Sequence, residues 1–145
     1  MLERKPGQLS GGQQLRLGAQ AIYQSSTGSE SIGTFSVGYG GVKADLSSGG
    51  LTGTLGYTQT GRNSSLRSPY SSWAGYTSML IKDFNAAGQK AFLIGATYDF
   101  KAAGAPGLTL GGSIATGFDA INPSTGAPVA NSTEYDIDLN YRFSD

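Results

Sequence analysis

Alternation of apolar with polar or small residues, at a period of two, most strongly constrains the fold of this chain. The last segment shows it clearly, with an apolar set at Tyr135, Ile137, Leu139, Tyr141 and Phe143 and charged or amide residues between them. Successive side chains of a β-strand point to opposite faces of its sheet. The alternation therefore predicts a strand with one apolar face and one polar face.

Five further segments carry the same alternation. Apolar sets run through 15–23, 51–57, 92–100 and 108–118, and another begins at Phe35. In that last segment the apolar positions change parity between Tyr39 and Val42, and we expect a β-bulge at Gly40-Gly41 to account for the change. The chain therefore predicts an all-β fold with six strands of about 10–13 residues.

The lengths of the strands and of their connections favour a membrane-spanning sheet. Strands of ordinary globular proteins have about 5–6 residues, whereas a tilted strand that crosses a bilayer needs about 9–11. Short connections around 47–50 and 101–107 alternate with long ones at about 25–33, 61–88 and 120–133. Transmembrane barrels alternate short periplasmic turns with long outer loops. We therefore predict an antiparallel up-and-down transmembrane β-barrel segment over residues 14–145.

Aromatic residues on the apolar positions fall near the predicted strand ends. The outer ends carry Tyr23, Tyr57, Phe118 and Tyr135, and the inner ends carry Phe100, Tyr141 and Phe143. Aromatic rings collect at both interfaces of a membrane. Two aromatic belts are therefore expected.

Composition excludes several other functions. The chain has no Cys and no His, which removes thiol chemistry, zinc fingers and Ser-His-Asp triads. Ten basic and ten acidic residues give a net charge of zero, which argues against nucleic acid as a partner. Asp136 and Asp138 share a strand face but have no accompanying base or orienting group. We expect no enzymatic activity, no cofactor and no bound metal.

Several short motifs resemble those of the OprD-type outer-membrane porins, over about residues 14–143. They lie at 14–20, 41–46, 67–73, 81–88, 98–108 and 135–143. The resemblance is to the C-terminal part of that family. It implies a channel in the bacterial outer membrane, in contact with lipid, that passes small hydrophilic solutes such as amino acids, peptides or carboxylates.

Residues 1–13 carry a different resemblance. The segment 9–13 (LSGGQ) looks like the signature stretch of ABC-transporter ATPases. The chain has no G-x-x-x-x-G-K-[ST] loop that would hold the phosphates of a nucleotide. We interpret residues 1–13 as a leader outside the barrel.

Polar positions of the strands are the candidate lining of a pore, because lumen-facing and lipid-facing residues alternate in such barrels. The candidates are Arg16, Gln20, Gln24, Thr54, Asp99, Glu134, Asp136, Asp138 and Arg142. Their acidic members outnumber the arginines, which favours cations. Glycines at 18, 56, 95, 111 and 117 leave room on the same face, where Leu93 is an exception unless a loop packs on it.

The loop after the third strand contains Arg62, Arg67, Tyr70 and Trp73, the candidates for a constriction. Two arrangements remain open. The loop folds inward and narrows the pore, or it stays a surface loop held by its own aromatic packing. The second is the simpler interpretation.

Six strands are fewer than the eight or so of the smallest ordinary spanning barrel. An open sheet in lipid would leave unpaired backbone groups at both edges. We therefore expect missing barrel strands or further copies to close the sheet, and a chain that is a fragment or a fused reading frame; it carries no signal peptide. The alternative is a soluble or surface-attached β-sandwich binding module without channel activity.

Overall fold

The computed structural model describes residues 2–3, 7–8, 12–27, 33–68 and 75–143, which form one antiparallel sheet. Its strands are β1 (Leu2–Glu3), β2 (Gly7–Gln8), β3 (Gln14–Ser25), β4 (Ser36–Ser48), β5 (Leu51–Thr60), β6 (Lys90–Asp99), β7 (Leu108–Phe118) and β8 (Ser132–Tyr141). From β3 to β8 each strand pairs with the next one along the chain, and the sheet remains open. The predicted all-β, up-and-down architecture of six long strands is confirmed.

The two short strands lie on the free edge of β3. Leu2 pairs with Ala19, and Gln8 pairs with Gln14. The four residues of β1 and β2 therefore extend the sheet beyond β3. The domain boundary at residue 14 stays a prediction.

The pairing of β4 passes through Gly40 and Gly41 without interruption. Residues 36–47 face β3 one for one, from Ser25 opposite Ser36 to Gln14 opposite Ser47. The expected β-bulge is therefore wrong. Apolar residues change parity because Val37 and Tyr39, which are 2 % and 4 % exposed, pack with Leu66 of the loop that follows β5.

Short and long connections alternate as predicted. Gly49 and Gly50 join β4 to β5 with φ angles of +56° and +88°, which suits the mirror-image turns that match the twist of a hairpin. A 3-10 helix at Phe100–Ala103 helps to join β6 to β7 at the same end of the sheet. The connections at 26–35, 61–89 and 119–131 are longer and lie at the opposite end. Among the described residues, no helix is long and apolar enough to cross a membrane.

The two faces of the sheet differ in what covers them. One face, called the apolar face below, exposes Leu55, Ile94 and Ile137. The other face carries buried residues such as Thr58 and Ala115 beneath the described parts of the loop 61–89, which are 61–68 and 75–89, and is called the loop-covered face. Most of the buried residues in the described part of the chain therefore lie between the sheet and this loop.

Aromatic rings gather on the apolar face near both strand ends. Tyr57 and Phe92 lie 4.8 Å apart between ring centroids, and Phe118 lies 5.8 Å from Phe92. Near the other end, Tyr98 contacts Phe100, and Tyr141 contacts Phe143, both at 4.8 Å with the rings almost perpendicular. Phe92 lies with Tyr57 and Phe118 because β6 begins at the end of the sheet where these two residues stand.

Candidate functional site

Strand register brings the predicted lining residues to a single face. One lateral row crosses all six long strands and contains Arg16, Asp45, Thr54, Gly95, Ser113 and Asp136. The same alternation places Gln20, Gln24, Asp99, Glu134 and Asp138 on this loop-covered face, and Arg142 follows β8 at the next position of that alternation. Contact of these residues with a solute stays a prediction.

The first part of the loop, 61–68, packs at the outer end of β3 and β4. The side-chain amide of Gln24 donates to the carbonyl of Arg67 at 3.1 Å and accepts the Arg67 N–H at 3.0 Å. The Arg67 guanidinium carbon lies 3.9 Å from the centre of the Phe35 ring, a cation–π distance. Arg62 is exposed beside Gly88. Tyr70 and Trp73 lie outside the described residues.

The second part, residues 75–84, is called the strap here because it crosses the sheet. At the start of the crossing, Tyr76 lies directly against glycines of the sheet. A methyl group at Gly18 would lie 2.7 Å from the Tyr76 hydroxyl oxygen, and one at Gly56 would lie 2.9 Å from the Tyr76 carbonyl oxygen. The room that these glycines leave on the face is therefore filled by Tyr76.

Thr77 and Met79 continue the crossing over the central strands. The Thr77 hydroxyl is 2.6 Å from that of Thr58, and both residues are buried. The Met79 sulfur accepts a hydrogen bond from Ser113 at 3.7 Å. Met79 and Leu93 both pack against the buried cluster of Phe84, Ala91 and Ala115, so the apolar Leu93 is accommodated on this face by contact with a cluster that includes a residue of the strap.

The strap reaches β8 at a turn around Leu80 and Ile81. Asp136 accepts the N–H of Leu80 at 3.0 Å, and the two carboxylate oxygens of Glu134 accept those of Ile81 and Lys82 at 2.7 Å each. From there the chain folds back on itself, because the N–H of Met79 donates to the carbonyl of Lys82 at 2.9 Å.

Phe84 ends the strap on its return. Its ring is buried against Ala91 and Ala115, and a methyl group at Gly117 would lie 2.6 Å from it. Phe84 has a φ of +49°, a strained conformation for a bulky residue. The packing of its ring holds it there.

The described part of the loop thus lies against the sheet. For these residues the sheet supplies the partners, in the form of glycine space and carboxylates. Whether the loop narrows a pore stays a prediction. The backbone N–H groups that bind Glu134 and Asp136 carry no signal in the sequence pattern.

Acidic side chains on this face differ in what they contact. Glu134 and Asp136 accept backbone N–H groups of the strap, whereas Asp99 accepts the N–H of Lys101 at 2.8 Å. Asp138 accepts a hydrogen bond from the Asn140 amide at 3.0 Å. Strong hydrogen bonds from N–H groups therefore offset part of the charge of these carboxylates, and the preference for cations stays a prediction.

Lys43 and Asp45 are charged residues of this face that the candidate set lacked. Their side chains form an ion pair at 3.3 Å, and Thr54 donates to Asp45 at 2.7 Å. Their alternation with the apolar Val42, Ala44 and Leu46 could have identified them as residues of the polar face. Among the described residues, no carboxylate forms an ion pair with Arg142.

A single antiparallel sheet of long strands, apolar on one side and polar beneath a loop on the other, is typical of the wall of an outer-membrane barrel. The chain matches the model of the family described as outer membrane porin, OprD family, over residues 4–145. It belongs to that family. Proteins of this family are channels rather than enzymes, and they lie in the bacterial outer membrane.

Solved porins from Pseudomonas aeruginosa have the same fold. OccK9 (OpdG) is 22 % identical with a TM-score of 0.84, over 96 % of this chain and 35 % of its own. OpdL is 21 % identical with a TM-score of 0.86, over 94 % and 38 %. OpdK, solved with vanillate, is 22 % identical with a TM-score of 0.82, over 92 % and 35 %. The chain thus spans little more than a third of their length. No curated protein sequence matches it.

Proposed function

We propose that residues 14–143 form six consecutive strands in the wall of an outer-membrane channel for the passive diffusion of small hydrophilic solutes. The observation that carries the proposal is the contrast between the two faces of the sheet. An exposed apolar face with aromatic rings near both ends suits lipid, and a polar face suits a water-filled lumen.

The loop-covered face is the lumen side in this proposal, and the loop 61–89 is its narrow part. Fixed charges on such a wall select solutes because they stabilise an opposite charge that has shed part of its water. Candidate solutes are amino acids, peptides and carboxylates. Carboxylates are supported by the OpdK structure, which contains vanillate.

Closure of the channel needs more strands than these. The outer edge of β8 has no neighbour among the described strands, and unpaired backbone groups are costly in lipid. We propose that further barrel strands, or further copies of the chain, pair with the open edges.

The test is a chimeric barrel in which residues 14–143 replace the matching segment of OpdK, recorded as single channels in a planar bilayer. The chain contains no cysteine, so single cysteines can be placed at will. We expect stepwise currents that a charged thiol reagent reduces at Thr97→Cys on the proposed lumen side. The matched Ile94→Cys, on the apolar face of the same strand, should not respond.

Two results contradict the proposal. One is a chimeric barrel that inserts into the bilayer and carries no current. The other is a current that changes on modification at position 94 and not at position 97. The alternative of a soluble β-sandwich predicts a folded chain in water without detergent, but a sandwich needs a second sheet, and the described residues form one.

A further inference from the structure

Glu134 is an unusual carboxylate for a polar wall because it is only 7 % exposed. Buried charges need strong hydrogen bonds to offset the loss of water. Both oxygens of Glu134 have such bonds, at 2.7 Å, from two successive N–H groups of the strap. The partners are backbone groups, so the interaction fixes the path of the chain rather than the orientation of one side chain.

The residues around Glu134 make room for this arrangement. Its register neighbour on β7 is Ala115, which is fully buried and small. Farther along the same lateral row lie Leu93 and Gly56. From Gly56 to Glu134 the row spans three strand spacings, about 14 Å. The strap meets this row at both ends, because Tyr76 lies over Gly56 and the N–H groups of Ile81 and Lys82 bind Glu134.

At that end the strap presents two large apolar side chains. Leu80 and Ile81 are 86 % and 83 % exposed, although they lie on the side of the sheet that the loop covers. The carboxylates of Glu134 and Asp136 hold the backbone of this turn, so they determine where the two side chains stand.

We propose that Glu134 is the positioning residue of the strap. By binding the N–H groups of Ile81 and Lys82, it holds the turn with Leu80 and Ile81 above β8 and so sets the width of the passage. The claim about the width of the passage rests on the proposed function, whereas the claim that Glu134 holds the strap in place does not. Glutamine cannot replace Glu134 fully, because one of its two terminal atoms is a donor and would face an N–H group.

The test measures the distance between nitroxide labels at Ile81→Cys and Ile94→Cys in detergent micelles by pulsed electron paramagnetic resonance. With Glu134 present we expect one narrow distance distribution. Glu134→Gln should broaden it, and Glu134→Ala should shift most of the population to longer distances. Asp138→Asn is the matched control. Asp138 is a carboxylate on the same face of β8, and it accepts its hydrogen bond from the Asn140 amide rather than from the strap. It should leave the distribution unchanged.

A second label pair, Leu55→Cys and Ile137→Cys on the apolar face, reports whether the sheet itself survives. An intact sheet with an unmoved strap in both Glu134 variants overturns the proposal. Disruption of the sheet by Glu134→Gln overturns it as well, because Glu134 would then support the strands and not the strap. Trypsin provides an independent readout, since cleavage after the exposed Lys82 should accelerate at least tenfold in Glu134→Ala and stay unchanged in Asp138→Asn.

Conductance of the chimeric barrel separates the two proposals. A larger single-channel current for Glu134→Gln than for Asp138→Asn supports the role in the passage. An equal current with a displaced strap overturns that role. A parent barrel without current contradicts the proposed function, while the distance distributions still decide whether Glu134 positions the strap.

Discussion

The two faces of this sheet are built from the same strands, yet they bury their residues differently. On the loop-covered face, Thr58 and Glu134 are buried because the strap supplies hydrogen-bond partners. On the apolar face, leucines, isoleucines and aromatic residues stay exposed in the isolated chain. The loop-covered face is thus completed by protein, whereas the apolar face needs lipid to cover it.

The difference teaches that polarity alone does not identify the interior of such a wall. The buried Thr58 and Glu134 are tolerated on one face because each meets a hydrogen-bond partner. Exposed apolar groups are tolerated on the other because lipid tails surround them in the membrane. Matched substitutions on the two faces should therefore have unequal effects.

The largest difference is expected for a charge placed on each face of β6. Ile94→Lys should lower the free energy of unfolding in lipid vesicles by about 2–4 kcal/mol, as for a lysine near the bilayer midplane. Thr97→Lys, on the loop-covered face, should cost under about 1 kcal/mol because water hydrates it. Urea titrations followed by circular dichroism in vesicles measure both, and equal costs would contradict the assignment of the faces.

Glycine positions on β5 should give the next largest contrast. Gly56→Ala should destabilise the protein by about 1–3 kcal/mol, because the new methyl group would lie 2.9 Å from the Tyr76 carbonyl oxygen. Gly53→Ala is the control, since no described atom lies within 4 Å of its methyl position. It should be neutral or stabilising by about 0.5–1 kcal/mol, because alanine fixes a strand better than glycine. The same urea titrations measure both variants. A loss of stability at position 53 as large as that at position 56 would contradict the packing of Tyr76 against Gly56.

Hydrogen-bonded pairs of threonine hydroxyls occur on both faces. The stability costs of breaking them should differ less than the costs above. Thr58→Val removes the buried partner of Thr77 and should cost about 1–3 kcal/mol, because a buried hydroxyl loses its hydrogen bond. Thr116→Val removes the exposed partner of Thr133, at 3.1 Å, and should cost under about 0.5 kcal/mol. A double-mutant cycle with Thr77→Val should recover much of the first loss. Without that recovery, the Thr58–Thr77 bond does not couple the strap to the sheet.

The smallest effect is expected at the Tyr76 hydroxyl. Among the described residues it is buried without a hydrogen-bond partner. Tyr76→Phe should therefore change the free energy of unfolding by less than about 0.5 kcal/mol, or raise it, because an unsatisfied polar group is removed. Tyr135→Phe, at the exposed outer end of the apolar face, is the comparison. A loss above about 1 kcal/mol at Tyr76 would show that the hydroxyl has a partner.

Period-two alternation was enough to predict the six long strands, their approximate lengths and the face that most of their residues take, because every strand repeats the same geometry; it did not predict β1 and β2. It failed between Tyr39 and Val42, where inward apolar residues needed Leu66 of the loop to explain them. The strap could not be predicted because its bonds join Glu134 to backbone N–H groups more than fifty residues earlier. Leu93 was the one local sign, an apolar residue on a polar face.

The central claim is that the apolar face meets lipid and the loop-covered face meets water. The most direct test is a nitroxide scan along β6 in lipid vesicles, with collision rates measured for oxygen and for a water-soluble nickel complex. Labels at Phe92, Ile94 and Ala96 should collide mainly with oxygen, and labels at Gly95 and Thr97 mainly with nickel. Equal nickel accessibility at successive positions, without a period of two, would contradict the claim.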